Sequence, residues 1–302
     1  EFACFAPEIL KGEFSKNVGP RIDSWSEFHP LGVVAGITPF NFPVMVPLWM
    51  YPLAIVCGNT FVLKPSEKDP SAALYVAQLA HEAGLPHGVL NVVNGGKEVV
   101  DVLLTDPSIK AISFVGSTPV AEAVYNKATS EGKRCQALGG AKNHAIIMPD
   151  ADLPNVVKAL TGAAFGSSGE RCMAISVAVV VGQQTARDLI TNLKTEMLGL
   201  KVGGPQNNNN DFGPLISVEH KKKVISLIES AEVEGAELVV DGRLAQLNDE
   251  DRGFFLGGTL IDKVKPDMTC YRNEIFGPVL CVVQVDNLEE AMRLVSEHEY
   301  GN

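Results

Sequence analysis

Residues 31–63 read LGVVAGITPFNFPVMVPLWMYPLAIVCGNTFVL, a stretch without a single charged side chain. It is long enough for a membrane helix, but four prolines and two asparagines interrupt it, and a lipid-exposed helix would leave backbone groups unpaired there. The β-branched run at 32–37 instead predicts a buried strand. The pattern at 43–57, closed by Gly58-Asn59, predicts a helix, and 60–63 predicts the next strand.

The same alternation continues along the chain and restarts after Gly139-Gly140. It predicts further strands at 89–93, 109–115, 144–148, 175–181 and 278–285. It predicts further helices at 70–84 with Asp69 as the N-cap, and at 97–104, 119–128, 152–164, 186–198, 218–233 and 288–297. Alternating strands and helices favour parallel sheets covered on both faces, so the predicted fold class is α/β with two doubly wound three-layer domains. The polar, partly alternating residues 12–30 predict a β-hairpin arm.

Length and charge limit the classes of function. The 302 residues suggest about two domains, and 25 basic against 36 acidic residues give a net charge of −11. This balance disfavours nucleic acid and anionic membranes as partners. The six cysteines form no CxxC pair, so no metal site is expected. Their pattern is typical of a reducing compartment.

Two motifs carry candidate reactive groups. Gly166-Ser167-Ser168-Gly169-Glu170-Arg171-Cys172-Met173 predicts an exposed loop before a strand, where a Cys could reach a substrate and a neighbouring Arg would lower its pKa. The alternative is an inert loop Cys. Thr38-Pro39-Phe40-Asn41-Phe42-Pro43 ends a predicted buried strand. Its Asn could donate to a developing oxyanion or simply form a turn.

Three further motifs have the chemistry of cofactor contacts. Phe114-Val115-Gly116-Ser117-Thr118-Pro119 joins a strand to a helix N-terminus, which favours phosphate, although an ordinary capped turn fits equally. Lys64-Pro65-Ser66-Glu67 could hold ribose hydroxyls or be a surface turn. Asn273-Glu274-Ile275-Phe276-Gly277-Pro278 places a carboxylate and an aromatic ring before a strand, again with a plain turn as the alternative.

Together, in their order and spacing, the five motifs resemble the aldehyde dehydrogenase superfamily over essentially the whole chain. The resemblance implies that Cys172 is the nucleophile, and that the Asn41 amide and the Cys172 N–H form the oxyanion hole. It also implies an NAD site, in which a carboxylate at Glu67 would repel the 2′-phosphate of NADP. The residues implied to contact NAD are Phe40, Lys64, Glu67, Gly116, Ser117, Glu274 and Phe276.

One departure from the superfamily pattern is informative. Most members carry Glu-Leu-Gly-Gly-Lys, whose Glu activates the deacylating water, whereas this chain has Ala137 at the Glu position. An Ala cannot accept a proton, so release of a thioacyl enzyme by water should be slow and a thiol should replace it. The chain thus most resembles the CoA-acylating methylmalonate-semialdehyde dehydrogenases.

The subfamily resemblance implies the substrates and products. Methylmalonate or malonate semialdehyde, with CoA and NAD, would give propanoyl-CoA or acetyl-CoA with loss of the carboxylate, as in valine or myo-inositol breakdown. Arg171 would bind the substrate carboxylate, the alternative being a structural ion pair. Three rival functions stay open: a hydrolytic NAD-dependent aldehyde dehydrogenase, a truncated non-catalytic module of the same fold, and a cysteine hydrolase.

The resemblance also implies an organisation. Residues 1–11 would end the N-terminal part of the NAD domain, 12–30 would form an oligomerisation arm of a dimer or tetramer, 31–140 would bind NAD and 141–302 would be catalytic. Superfamily chains run beyond both ends, so we expect about three fifths of an enzyme. We expect a cytoplasmic location in a bacterium and the mitochondrial matrix in a eukaryote.

Overall fold

The computed structural model describes residues 2–245 and 253–302, and the chain divides into two compact units, Glu1–Gly139 and Gly140–Asn302. The strands of the first unit are β1 (Phe14–Gly19), β2 (Ile22–Trp25), β3 (Val33–Ile37), β4 (Thr60–Lys64), β5 (Leu90–Val92), β6 (Ile109–Val115) and β7 (Arg134–Leu138). Its helices are α1 (Ala6–Ile9), α2 (Met45–Val56), α3 (Ser71–Glu82), α4 (Lys97–Thr105) and α5 (Thr118–Ser130).

Five strands of the first unit form one parallel sheet in the order β5-β4-β3-β6-β7. One face of this sheet packs against α4 and α5. The other face packs against α2 and α3. The uncharged stretch 31–63 supplies β3, α2 and β4, and Gly36 in β3 is required because a Cβ there would lie 2.5 Å from the Phe61 ring.

The second unit repeats the alternation with different elements. Its strands are β8 (Asn143–Ile147), β9 (Ile175–Val181), β10 (Glu237–Val240), β11 (Thr259–Asp262) and β12 (Val279–Val285). Its helices are α6 (Leu153–Phe165), α7 (Gln183–Met197), α8 (Val218–Val233), α9 (Thr269–Arg272) and α10 (Leu288–Glu297).

The second sheet has the order β10-β11-β12-β9-β8 and is parallel except for the antiparallel pair β10-β11. Successive residues of β9 and β12 point into two separate cores, because side chains alternate between the faces of a strand. One core holds α8 and α10, and the other holds α6 and α7. The three-layer arrangement explains why these two strands are nearly continuous runs of apolar residues.

The α/β fold class is confirmed, and so is the hairpin, since β1 and β2 pair antiparallel. The N-cap prediction is wrong: Pro70 occupies the N-cap of α3, and the structure records no side-chain cap there. Three strands, β7, β10 and β11, were not predicted. Within the described ranges, no helix is long and apolar enough to span a membrane.

Candidate active site

The Cys172 loop follows α6 and makes a sharp reversal. Ser167, Ser168 and Gly169 all have positive φ, at 52°, 56° and 70°. A Cβ at Gly169 would overlap the carbonyl oxygen of Gly277. Only glycine therefore allows the loop to pack on the backbone of residues 273–278.

Asn143, the first residue of β8, fixes the backbone around Cys172. Its Nδ2 donates to the carbonyl oxygens of Cys172 at 2.8 Å and Ala174 at 2.7 Å. The Cys172 side chain is half-buried and lines a small cavity. Arg171, Glu274 and Phe276 line the same cavity, so the second unit brings together all four site residues predicted for it.

The segment carrying Glu274 and Phe276 is held from the residues that follow Gly140. The Ala141 N–H donates to Glu274 Oε1 at 3.2 Å. Burial raises the pKa of Glu274, and this hydrogen bond offsets part of the effect. Lys142 is fully buried, and its Nζ donates to the carbonyls of Cys270 and Asn273, both at 2.7 Å.

Arg171 turns its guanidinium towards the end of α6. Nη2 donates to the carbonyls of Gly162 at 2.8 Å and Ala163 at 2.9 Å. The Nε donor is buried and has no acceptor among the described residues, and no ion pair to Arg171 is present there. The predicted alternative, a structural ion pair, is therefore replaced by a helix C-terminal contact with one donor left over.

Glu170 and His220 form a largely buried acid–histidine pair beside the cavity-lining residues Arg171 and Phe276. Glu170 is 5% exposed and accepts the Ile216 N–H at 3.1 Å, while His220 Nε2 lies 3.5 Å from the same oxygen. His220 Nε2 is also 2.6 Å from the Phe276 carbonyl oxygen. Burial raises the pKa of Glu170 to about 7 and lowers that of His220.

In the first unit, Phe40 and Asn41 follow β3 at its carboxyl end. The Thr38 N–H donates to the Lys64 carbonyl at 3.1 Å, and the Val46 N–H donates to the Phe42 carbonyl at 3.2 Å. The turn therefore leads directly into α2 and leaves Phe40 and Asn41 half-buried. Ligands of open α/β sheets bind at this edge, outside the carboxyl ends of the strands.

Lys64 and Glu67 lie at the carboxyl end of the neighbouring strand. Lys64 is buried, and its Nζ forms an ion pair of 3.1 Å with Glu67, whose side chain is 54% exposed. The Glu67 backbone N–H and the Lys64 ammonium hold the pKa of Glu67 below its usual range. Glu67 is therefore a carboxylate at neutral pH, in reach of solvent.

Gly116 and Ser117 form the predicted strand-to-helix turn. The Gly116 N–H donates to the Leu138 carbonyl at 3.1 Å, and a Cβ at Gly116 would lie 2.5 Å from the Phe114 ring. Ser117 is the exposed N-cap of α5 and makes no side-chain cap. The thirteen-residue helix α5 begins here, and the N-terminus of a helix of this length favours a phosphate.

Sequence reasoning missed four residues that hold this site: Lys142, Asn143, Glu170 and His220. A signal existed for two of them. Lys142 is a charged residue at the start of a predicted buried strand, and Glu170 is a carboxylate inside a Gly-rich loop. Asn143 and His220 are ordinary in sequence, because only the fold brings them to Cys172 and Phe276.

The family comparison agrees with the motifs. The profile of the aldehyde dehydrogenase family matches residues 1–302. Among curated proteins, malonate-semialdehyde dehydrogenase of Pseudomonas aeruginosa is 65% identical over 302 residues, which is 100% of this chain and 61% of that protein. The chain thus spans about three fifths of the length of this relative.

Solved structures give the same picture. Methylmalonate-semialdehyde dehydrogenase from Oceanimonas doudoroffii matches with a TM-score of 0.96 and 65% identity, over 99% of this chain and 61% of that one. A Sinorhizobium meliloti protein crystallised in complex with NAD matches with a TM-score of 0.96 and 54% identity, over the same shares.

Proposed function

Because the chain belongs to the aldehyde dehydrogenase family, we propose that the protein oxidises malonate or methylmalonate semialdehyde with NAD and CoA to acetyl-CoA or propanoyl-CoA. The observation that carries the proposal is the cavity that Cys172 shares with Arg171, Glu274 and Phe276. The 65% identity to a malonate-semialdehyde dehydrogenase supports the substrate class. Residues 31–140 would bind the cofactor, and residues 141–302 would carry the nucleophile.

The residues fit NAD. The N-terminus of α5 after Gly116 and Ser117 suits the pyrophosphate. Lys64 and Glu67 would hold the adenosine ribose, and the ionised Glu67 disfavours a 2′-phosphate. Glu274 would hold the nicotinamide ribose, with Phe40 and Phe276 beside the nicotinamide ring. NAD supplies the hydride acceptor.

The chemistry on the protein begins with attack of the Cys172 thiolate on the aldehyde carbon, which forms a thiohemiacetal. The Asn41 amide and the Cys172 backbone N–H would donate to its oxyanion. The Asn143 contacts support this role, since they fix the backbone that follows Cys172 at the carbonyls of Cys172 and Ala174. With NAD held by the residues named above as the hydride acceptor, the acyl group would remain on Cys172 as a thioester.

Release of the acyl group depends on position 137. Ala137 offers no proton acceptor to water, so a CoA thiolate would attack the thioacyl carbon and return the Cys172 thiolate. The substrate carboxylate would leave as carbon dioxide, because the thioester carbonyl accepts the electrons of the broken C–C bond as an enolate, which then takes a proton from water. The unpaired Arg171 Nε supports a carboxylate contact, since a buried N–H without an acceptor is costly.

The test is NADH formation by the purified protein with each semialdehyde, with and without CoA. We expect sustained turnover only with CoA, with acetyl-CoA or propanoyl-CoA as the product. Cys172→Ala should abolish NADH formation. Equal steady turnover without CoA would favour a hydrolytic enzyme, and an inert Cys172 would favour a non-catalytic module.

We also propose that the protein forms a homo-oligomer through the β1–β2 hairpin. Phe14, Ile22 and Trp25 of the hairpin are exposed, which supports burial of this surface against another copy. The Pseudomonas, Oceanimonas and Sinorhizobium relatives are bacterial. We therefore propose the cytoplasm as the location in a bacterial cell.

A further inference from the structure

Glu170 is a buried carboxyl group, two residues before Cys172, that the proposed chemistry does not use. Its side chain does not line the Cys172 cavity, so a substrate in that cavity would not touch it. A buried carboxyl group is costly unless it is satisfied by neighbours. Its partners therefore indicate what it does.

Those partners link the cysteine loop to two other segments. Glu170 Oε1 accepts the Ile216 N–H at 3.1 Å, and Ser168 Oγ donates to the Gly213 carbonyl at 2.6 Å. His220, in the first turn of α8, lies 3.5 Å from Glu170 Oε1 and 2.6 Å from the Phe276 carbonyl oxygen. Because a carbonyl oxygen only accepts, the proton of the neutral His220 ring is on Nε2.

We propose that Glu170 and His220 are positioning residues that hold the Cys172 loop and the Glu274–Phe276 segment in one fixed arrangement. The inference rests on the proposed function, since it assumes that both segments serve one reaction. Neither residue touches the substrate in this account. Both act through the backbone of the segments that do.

The backbone at Phe276 is strained, which supports a positioning role for His220. The φ of Phe276 is 54°, a left-handed conformation that is strained for a non-glycine residue. The conformation persists only when the surroundings stabilise it, and His220 supplies a short hydrogen bond to that same residue. Gly169 against the Gly277 backbone adds a contact between the two segments.

Glu170 and the Phe276 carbonyl compete for the N–H of His220, which supports a role for Glu170 as well. The His220 Nε2–H faces two acceptors, the Phe276 carbonyl oxygen and Glu170 Oε1. When Glu170 is neutral, the carbonyl is the better acceptor. When Glu170 ionises, its charge draws the N–H away and weakens the hold on Phe276.

Among the charged groups around the pair, Glu170 is the one whose ionisation decides which acceptor the His220 N–H binds. Burial lowers the pKa of His220, Lys223 on α8 lowers it by a smaller amount, and Lys223 also lowers the pKa of Glu274 in the neighbouring segment. Arg171 turns towards the α6 carbonyls. Burial raises the pKa of Glu170 to about 7, so its proton is lost in the neutral range while the His220 ring stays neutral.

The experiment is a pH titration of the His220 side-chain nitrogens by NMR in the full chain. We expect the Nε2–H form throughout, with a shift inflection near pH 7 that reports Glu170. Glu170→Gln should remove the inflection, because the amide cannot ionise but still offers an acceptor to Ile216. The matched control Glu219→Gln, on the exposed neighbour of His220, should leave it unchanged.

A titration without the inflection in the unmodified protein, or its survival in Glu170→Gln, would overturn the proposal. The unmodified chain decides this even if the variant does not fold. The companion readout is the alkylation rate of Cys172 by iodoacetamide over the same pH range. In the unmodified protein this rate should change near pH 7, and Glu170→Gln should remove that change. A pH profile that is the same in both proteins would also contradict the positioning role of Glu170 and His220. Neither readout needs turnover, so a failure of the CoA assay leaves this test intact.

Discussion

At the scale of single residues, Arg171 contacts the end of α6 and is proposed to bind the substrate carboxylate, and a comparison of two aldehydes separates these roles. Arg171→Ala removes the contacts to α6 and the unpaired Nε donor together. We expect KM for malonate semialdehyde to rise about tenfold or more, the cost of losing a charged hydrogen bond. Propanal lacks the carboxylate, so its KM in the variant reports only the effect of losing the contacts to α6. Equal increases in KM for both aldehydes would reject the carboxylate contact.

Glu170 makes stability depend on pH. Its pKa is raised from 4.5 to about 7 in the folded state, so its favourable contribution is complete below pH 4.5 and is lost as pH rises through 7. The free energy of unfolding of Glu170→Gln minus that of the unmodified protein should therefore rise by about 2 kcal/mol from pH 5.5 to pH 8.5. Urea unfolding at both pH values measures this. A constant difference would show that Glu170 does not titrate in the folded protein.

The residue scale also shows the limit of sequence reasoning about the site. Cys172, Glu274 and Phe276 stand out because their motifs are short and local, and the fold places them around one cavity. His220 contacts Phe276 from 56 positions away, and Lys142 reaches Asn273 from 131 positions away. Nothing in the local pattern around these two residues encodes those distant partners.

At the scale of elements, the loop after α6 depends on a glycine. In Gly169→Ala, the Cβ would overlap the Gly277 carbonyl oxygen at a φ of 70°. We expect a loss of at least about 2 kcal/mol of unfolding free energy and slower alkylation of Cys172. Gly162→Ala is the matched control, since its Cβ meets nothing within 4 Å inside α6. It should be neutral or stabilise by about 0.5–1 kcal/mol.

Lys142 connects the start of β8 to the end of α9. Lys142→Met keeps the length of the side chain but leaves the carbonyls of Cys270 and Asn273 without their donor. The expected cost is about 2–5 kcal/mol, from two buried unsatisfied acceptors. Thermal unfolding, with the exposed Lys222→Met as control, measures it. A cost no larger than that of the control would mean that water replaces the Lys142 donor.

The elements that sequence patterns missed are short strands, two of them at sheet edges. β7 and β10 are the edges of their sheets, and β7 alternates exposed and half-buried residues. The apolar signal of an edge strand is weak because one side of the strand faces solvent. β11 has only four residues. The long central strands β9 and β12 were predicted within a residue, since they are buried on both faces.

At the scale of the whole molecule, two sheets covered on both faces explain the composition. A net charge of −11 and long apolar strands belong to an α/β chain with an acidic surface. The restart after Gly139-Gly140 coincides with the border between the two compact units. The Gly-Gly turn is therefore the point at which β7 of one unit gives way to β8 of the other.

In the proposed reaction, Cys172 carries an acyl group that CoA, not water, removes. The most direct measurement is peptide mass spectrometry of the protein after mixing with NAD and malonate semialdehyde, before and after CoA is added. We expect an acyl adduct on Cys172 that accumulates without CoA and is discharged as acyl-CoA when CoA is added. An adduct that clears equally fast in water, or none on Cys172 while NADH forms, would contradict it.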